Sequence, residues 1–144
     1  MERQTPDEAR PEPARGVPTK PAAMTTTPSG KPWRLGPRTR LFAHQIRAFV
    51  KRLPRTVCNR VDVAQLVRAS GSIGANYIEA NEALSKKDFV VRIKICRKEA
   101  KECIFWLDLL DLGDDDELTR ARNSHQQEAG ELMKIFGAIL VKSQ

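Results

Sequence analysis

The chain has 144 residues, 40% of them hydrophobic and 30% charged, with a formal net charge of +7 and an isoelectric point near 9.7. That length allows one domain, and three cysteines at 58, 96 and 103 lack the spacing of a secreted disulfide scaffold. The absence of any apolar run of about 18 residues excludes a membrane-spanning helix, no Cys-x-x-Cys occurs, and His44 and His125 stand too far apart to suggest a zinc site.

Residues 1–36 read as a disordered tail. Eight of the nine prolines (6, 11, 13, 18, 21, 28, 32 and 37) fall in the first 37 residues, where aliphatic periodicity is nearly absent. Such a composition buries too little apolar surface to offset the entropy of ordering the chain. Met24 is a second candidate start, which would leave residues 1–23 as an extension of the reading frame. The N-terminus lacks the apolar core of a signal peptide, so the expected location is cytoplasmic.

Residues 37–144 form the expected folded part, and every periodic stretch in it is helical. A first helix is predicted over 38–53, entered at Gly36-Pro37 and stopped by Pro54. Its apolar positions Phe42, Ile46, Phe49 and Leu53 follow 4,3,4 spacing. A second helix is predicted over 60–82, with Asn59 as N-cap and Val63, Val67, Ile73, Tyr77 and Ile78 on its apolar face. A third spans 86–112, opened by the capping pair Ser85 and Asp88 and closed by Gly113 at C′. Phe89, Ile93, Cys96, Ala100, Cys103, Leu107 and Leu110 alternate 4,3 along it, a seam suited to left-handed bundle packing. A fourth helix opens on Asp114-Asp115-Asp116-Glu117, negative charge at the positive end of the helix dipole, and runs through Leu118, Leu132, Met133, Phe136, Ile139 and Leu140. Short links between these helices force antiparallel neighbours. The expected fold is all-α: an antiparallel up-down-up-down four-helix bundle.

The second helix carries the most unusual segment. Ser70, Gly71, Ser72, Gly74 and Ala75 are all small, and each helical glycine costs about 1 kcal/mol relative to alanine. A neighbouring backbone lying too close for larger side chains explains them best. Ser72, Asn76 and Glu79 share one helix face; either they bind a ligand or, the preferred reading, they hydrogen-bond between helices or subunits. The third helix bears a second stripe, Arg92, Ile95, Glu99, Glu102 and Trp106, beside its core seam. Its mixed composition points to a subunit contact, with another helix of the same bundle as the alternative. Glu79, Glu99 and Glu102 invite a carboxylate metal site, but the Glu-x-x-His pairs of di-metal bundles are missing, so no metal or other cofactor is expected. Cys96 and Cys103 fall on the core seam, about 10.5 Å apart by helical rise, which is beyond the reach of a disulfide.

The feature with most functional promise is on the first helix. Arg40, His44, Arg47 and Lys51 follow 4,3,4 spacing about 200° round from the apolar stripe, with no acid among them. A plain solvated face is the ordinary reading of such a stripe, yet solvated faces usually mix signs and this one does not. An all-basic face suits a phosphate backbone, and without interleaved aromatics it offers no base stacking.

Three runs together resemble a known family: Arg68 to Ala80 (RASGSIGANYIEA), Ser85 to Phe89 (SKKDF), and Arg97 to Glu102 (RKEAKE) followed by Trp106-Leu107. They are similar to the 23S ribosomal RNA intervening-sequence proteins and, more distantly, to the accessory variability proteins of diversity-generating retroelements. The resemblance covers about residues 38–142. It implies four-helix bundles assembled as homopentamers around a central channel; the retroelement relatives bind nucleic acid and a reverse transcriptase through basic surfaces. The resulting expectation is a non-enzymatic, oligomeric binding or assembly module that contacts structured RNA or DNA through the basic helix. A protein-interaction scaffold without a nucleic-acid role is the alternative, and a carboxylate metal-binding bundle the least favoured.

Overall fold

The computed structural model of the protein describes residues 34–144, so most of the expected tail lies outside the described residues. Four helices follow in order: α1 Leu35–Val50, α2 Val57–Asn81, α3 Lys86–Leu109 and α4 Asp116–Lys142, with no strand among the described residues. α1 thus begins at Leu35, three residues before the expected helix start. Gly36 and Pro37 lie inside the first turn of α1, where proline's missing N–H has no intrahelical partner to lose.

Side-chain pairings fix the direction of every neighbour. Going up α2, the partners on the α3 side run down the sequence: Asn59 meets Asp111, Arg68 meets Glu102 and Glu99, Ile73 meets Cys96, and Asn76 meets Arg92. Between α3 and α4, Leu107 pairs with Arg122 and Ile104 with Gln126. Between α1 and α4, Arg38 pairs with Glu128 and Arg52 with Glu117. Between α1 and α2, Thr39 meets Gly74 and Arg47 meets Ser70, so each pair of adjacent helices is antiparallel and the four close into a bundle.

The core is the predicted one with a few exchanges. All seven seam residues of α3 are buried, as are Phe42, Ile46, Phe49 and Leu53; Leu53 lies in the turn after α1. On α2 the buried positions are Asn59, Leu66, Ala69, Ser70, Ile73 and Ala80, while Ile78 is 62% exposed rather than part of the apolar face. Tyr77 and Ile78 are 100° apart on a helix, and only Tyr77 turns inward, its ring tilted against Phe136.

Two caps also differ from expectation. Thr56, not Asn59, caps α2: its extended backbone lets its hydroxyl accept from the Asn59 amide at 3.0 Å. Asn59 is buried and joins two links instead. Its Nδ2 donates to Pro54 O and to Asp111 O, and its Oδ1 accepts from the Asp111 amide, all at 2.9 Å. Gly113 is not the C′ residue of α3, which ends at Leu109. It sits in the following turn at φ +63°, where a Cβ would lie 3.1 Å from Pro54. Ser85 caps α3 and Asp115 caps α4, each hydroxyl or carboxylate accepting an amide three residues on.

Candidate nucleic-acid interface

α1 presents three sides. Its apolar stripe enters the core. Its flank toward α4 is held by Arg38, which grips Glu128 through two hydrogen bonds of 2.7 and 2.9 Å, by Arg52 at 3.5 Å from Glu117, and by His125 set edge-on to Phe49. The Glu128 contact raises the Arg38 pKa, so this guanidinium is charged throughout. Burial, and then the charge of Arg52, lower the pKa of His125, which is neutral at physiological pH. The remaining side carries Arg40, His44, Arg47 and Lys51, all exposed. Arg47 is already positioned: its Nη1 donates to Ala43 O at 3.1 Å and to Ser70 Oγ at 3.5 Å.

The small residues of α2 lie under α1. A Cβ on Gly74 would stand 3.1 Å from the Thr39 hydroxyl and 3.9 Å from the Thr39 backbone carbonyl carbon, so the two helices touch there. Thr39 is buried and satisfied, donating to Leu35 O at 2.7 Å. At Gly71 the neighbour is the Arg47 guanidinium, 3.3 Å from where a Cβ would be. Gly71 therefore makes room for a cation and Gly74 for a helix.

The other side of α2 meets α3 through polar pairs. Asn76 Nδ2 donates to Ser72 O and Oγ, and its Oδ1 accepts from Arg92 at 2.9 Å. Glu79 does not join them; it is exposed. Glu99, only 5% exposed, and Glu102 share Arg68, at 3.4 and 3.2 Å. Arg68 is thus the central residue of this seam, and its signal in the sequence is its place four residues before Ser72 on the same face. Arg92, Glu99 and Glu102 of that stripe accordingly meet α2 of their own bundle. Trp106 packs on the core and against Phe105, and its Nε1 is buried with no acceptor among the described residues.

No three His, Cys, Asp or Glu side chains among the described residues gather as metal ligands, and Glu79 stands apart from Glu99 and Glu102. Burial pushes the Cys96 and Cys103 thiols up to about 12, so both are protonated fillers of the seam rather than nucleophiles. Cys96 donates to Ile73 O at 3.4 Å.

These features define a class: an antiparallel four-helix bundle with polar seams and one helix bearing an exposed basic face. The chain belongs to the 23S rRNA-intervening sequence protein family, whose profile it matches over residues 37–135. No curated relative matches it. Among solved structures it is similar to a protein of unknown function from the S23 ribosomal protein family of Bacteroides thetaiotaomicron. That similarity has 28% identity and a TM-score of 0.61, covering 74% of this chain and 97% of the other. Among the described residues no helix is long and apolar enough to cross a membrane.

Proposed function

We infer that the protein is a cytoplasmic, non-enzymatic binding module that contacts the phosphate backbone of structured RNA or DNA through the basic face of α1. The observation that carries this reading is the exposure of Arg40, His44, Arg47 and Lys51 on one side of a helix that contains no acidic residue. Backbone contacts by such side chains are insensitive to sequence and sensitive to salt. The family resemblance implies self-association as a homopentamer, in which five copies of a weak site bind one extended ligand tightly. Light scattering of the purified chain tests the stoichiometry. Anisotropy titration of a structured RNA tests the surface: replacing Arg40, Arg47 and Lys51 with Glu abolishes binding, and an unchanged affinity refutes the reading.

A protein-interaction scaffold is the second reading. It draws on Val57 and Val61 of α2 and Val91, Phe105 and Leu109 of α3, all exposed. By helical register they lie on the outward side of the α2–α3 pair, a patch of the kind that marks interaction surfaces. A partner captured equally well before and after nuclease treatment favours this reading over the first.

A further inference from the structure

Residues 35–61 contain no Asp or Glu and seven cations: Arg38, Arg40, Arg47, Lys51, Arg52, Arg55 and Arg60. The structure divides them. Arg38 and Arg52 turn to α4 and pair with Glu128 and Glu117. The other five are exposed, and among the described residues none has a carboxylate within salt-bridge distance. Two of the five are not on α1 at all. Arg55 lies in the link after it, and Arg60 lies on α2.

Helical register shows where Arg60 stands. It precedes Gly71 by eleven residues and Gly74 by fourteen, so all three share one side of α2. Gly71 and Gly74 face α1, as Arg47 and Thr39 show, and Arg60 therefore borders the same junction. Because α1 and α2 are antiparallel, Arg60 extends the row beyond Lys51, at the level of the link. With Thr39 level with Gly74, the row from Arg40 to Arg60 spans about 20 Å by helical rise. That is enough for several phosphates along one strand of a helical nucleic acid, spaced about 3.4 Å along the axis. The middle of the row is preset, since Ala43 O and Ser70 Oγ hold the Arg47 guanidinium in the space that Gly71 leaves open.

We propose that the nucleic-acid site is a shelf along the α1–α2 junction, in which Arg55 and Arg60 continue the α1 row and Gly71 seats Arg47, so that one phosphodiester strand lies across both helices. This extends the proposed function and rests on it. Charge complementarity selects the occupant: five unneutralised cations in a row match a polyanion of regular charge spacing.

The test compares three double variants of the full chain by salt-dependent titration with a fluorescent 20-base-pair RNA duplex. Each removes two exposed cations: Arg40→Ala with Lys51→Ala on α1, Arg55→Ala with Arg60→Ala on the shelf, and Lys98→Ala with Lys134→Ala elsewhere on the bundle. The shelf pair should lower affinity about tenfold at 150 mM salt and flatten the plot of log K against log salt by about two, like the α1 pair. Lys98 and Lys134 set the baseline. A shelf pair that behaves like that baseline while the α1 pair loses affinity overturns the shelf and leaves α1 as the site. If both pairs match the baseline, the binding function falls with it. Gly71→Ala gives an independent arm: a melting temperature unchanged or raised, with affinity lowered about twofold because Arg47 is displaced. Undiminished affinity there overturns the seat.

Discussion

The α2–α3 and α1–α4 seams are built differently. Between α2 and α3 lie residues with no exposure at all, Ile73 and Cys96, and the chain links are joined by a buried asparagine. Between α1 and α4 two part-exposed ion pairs, Arg38 with Glu128 and, just past the end of α1, Arg52 with Glu117, flank the buried Phe49 ring set against His125. The first seam is a core contact with polar locks. The second is a set of clasps on the helix that carries the basic face. The same helix therefore divides its cations between holding the bundle and facing outward.

Thermal and urea unfolding should rank the two seams. Ile73→Ala opens a void in the α2–α3 seam and should cost about 3–4 kcal/mol. Asn59→Ala should cost about 2–3 kcal/mol, because it strands Pro54 O and both backbone groups of Asp111. Replacing Gly74 with Leu forces α1 away from α2 and should cost about 2 kcal/mol, whereas Gly71→Ala should be neutral or stabilising. Loss of Gly74→Leu's penalty in a Thr39→Ala background would confirm that these two positions meet. Arg38→Ala removes a partly exposed clasp and should cost only about 1 kcal/mol. If it matched Ile73→Ala, the contrast between the seams would collapse.

The smallest expected effect is the pH dependence of the clasped seam. The folded pKa of His125 lies below the ordinary 6.5, so the unfolded chain takes up the proton first as pH falls. The neutral ring's contribution is fully present above about pH 6.5 and is lost progressively as pH drops toward the folded pKa. Melting temperature followed from pH 7.5 to 5 should fall more steeply for the wild type than for His125→Phe. Parallel curves would remove His125 from the account.

The third helix was legible from sequence because its 4,3 alternation is unbroken from Phe89 to Leu110, and all seven positions are buried. The second was harder. The glycines and Arg68 interrupt its apolar spacing, so the sequence does not mark Leu66 as core or separate the inward Tyr77 from the exposed Ile78. Thr56 and Asn59 are both good capping residues, and only the extended backbone at Thr56 decides between them. Part of the basic face was legible because Arg40, His44, Arg47 and Lys51 repeat on one helix. Arg55 and Arg60 were not, because a link separates them from that helix and only the α1–α2 packing brings them into line.

Asn59 has a consequence for how the bundle opens. The Asp111 amide belongs to a loop yet is held by a buried carboxamide from the other half of the chain. Its proton should exchange with solvent only when the two helical hairpins part, at a rate nearer to global unfolding than to loop fraying. One loop amide in deuterated buffer would then time the separation of the molecule's halves.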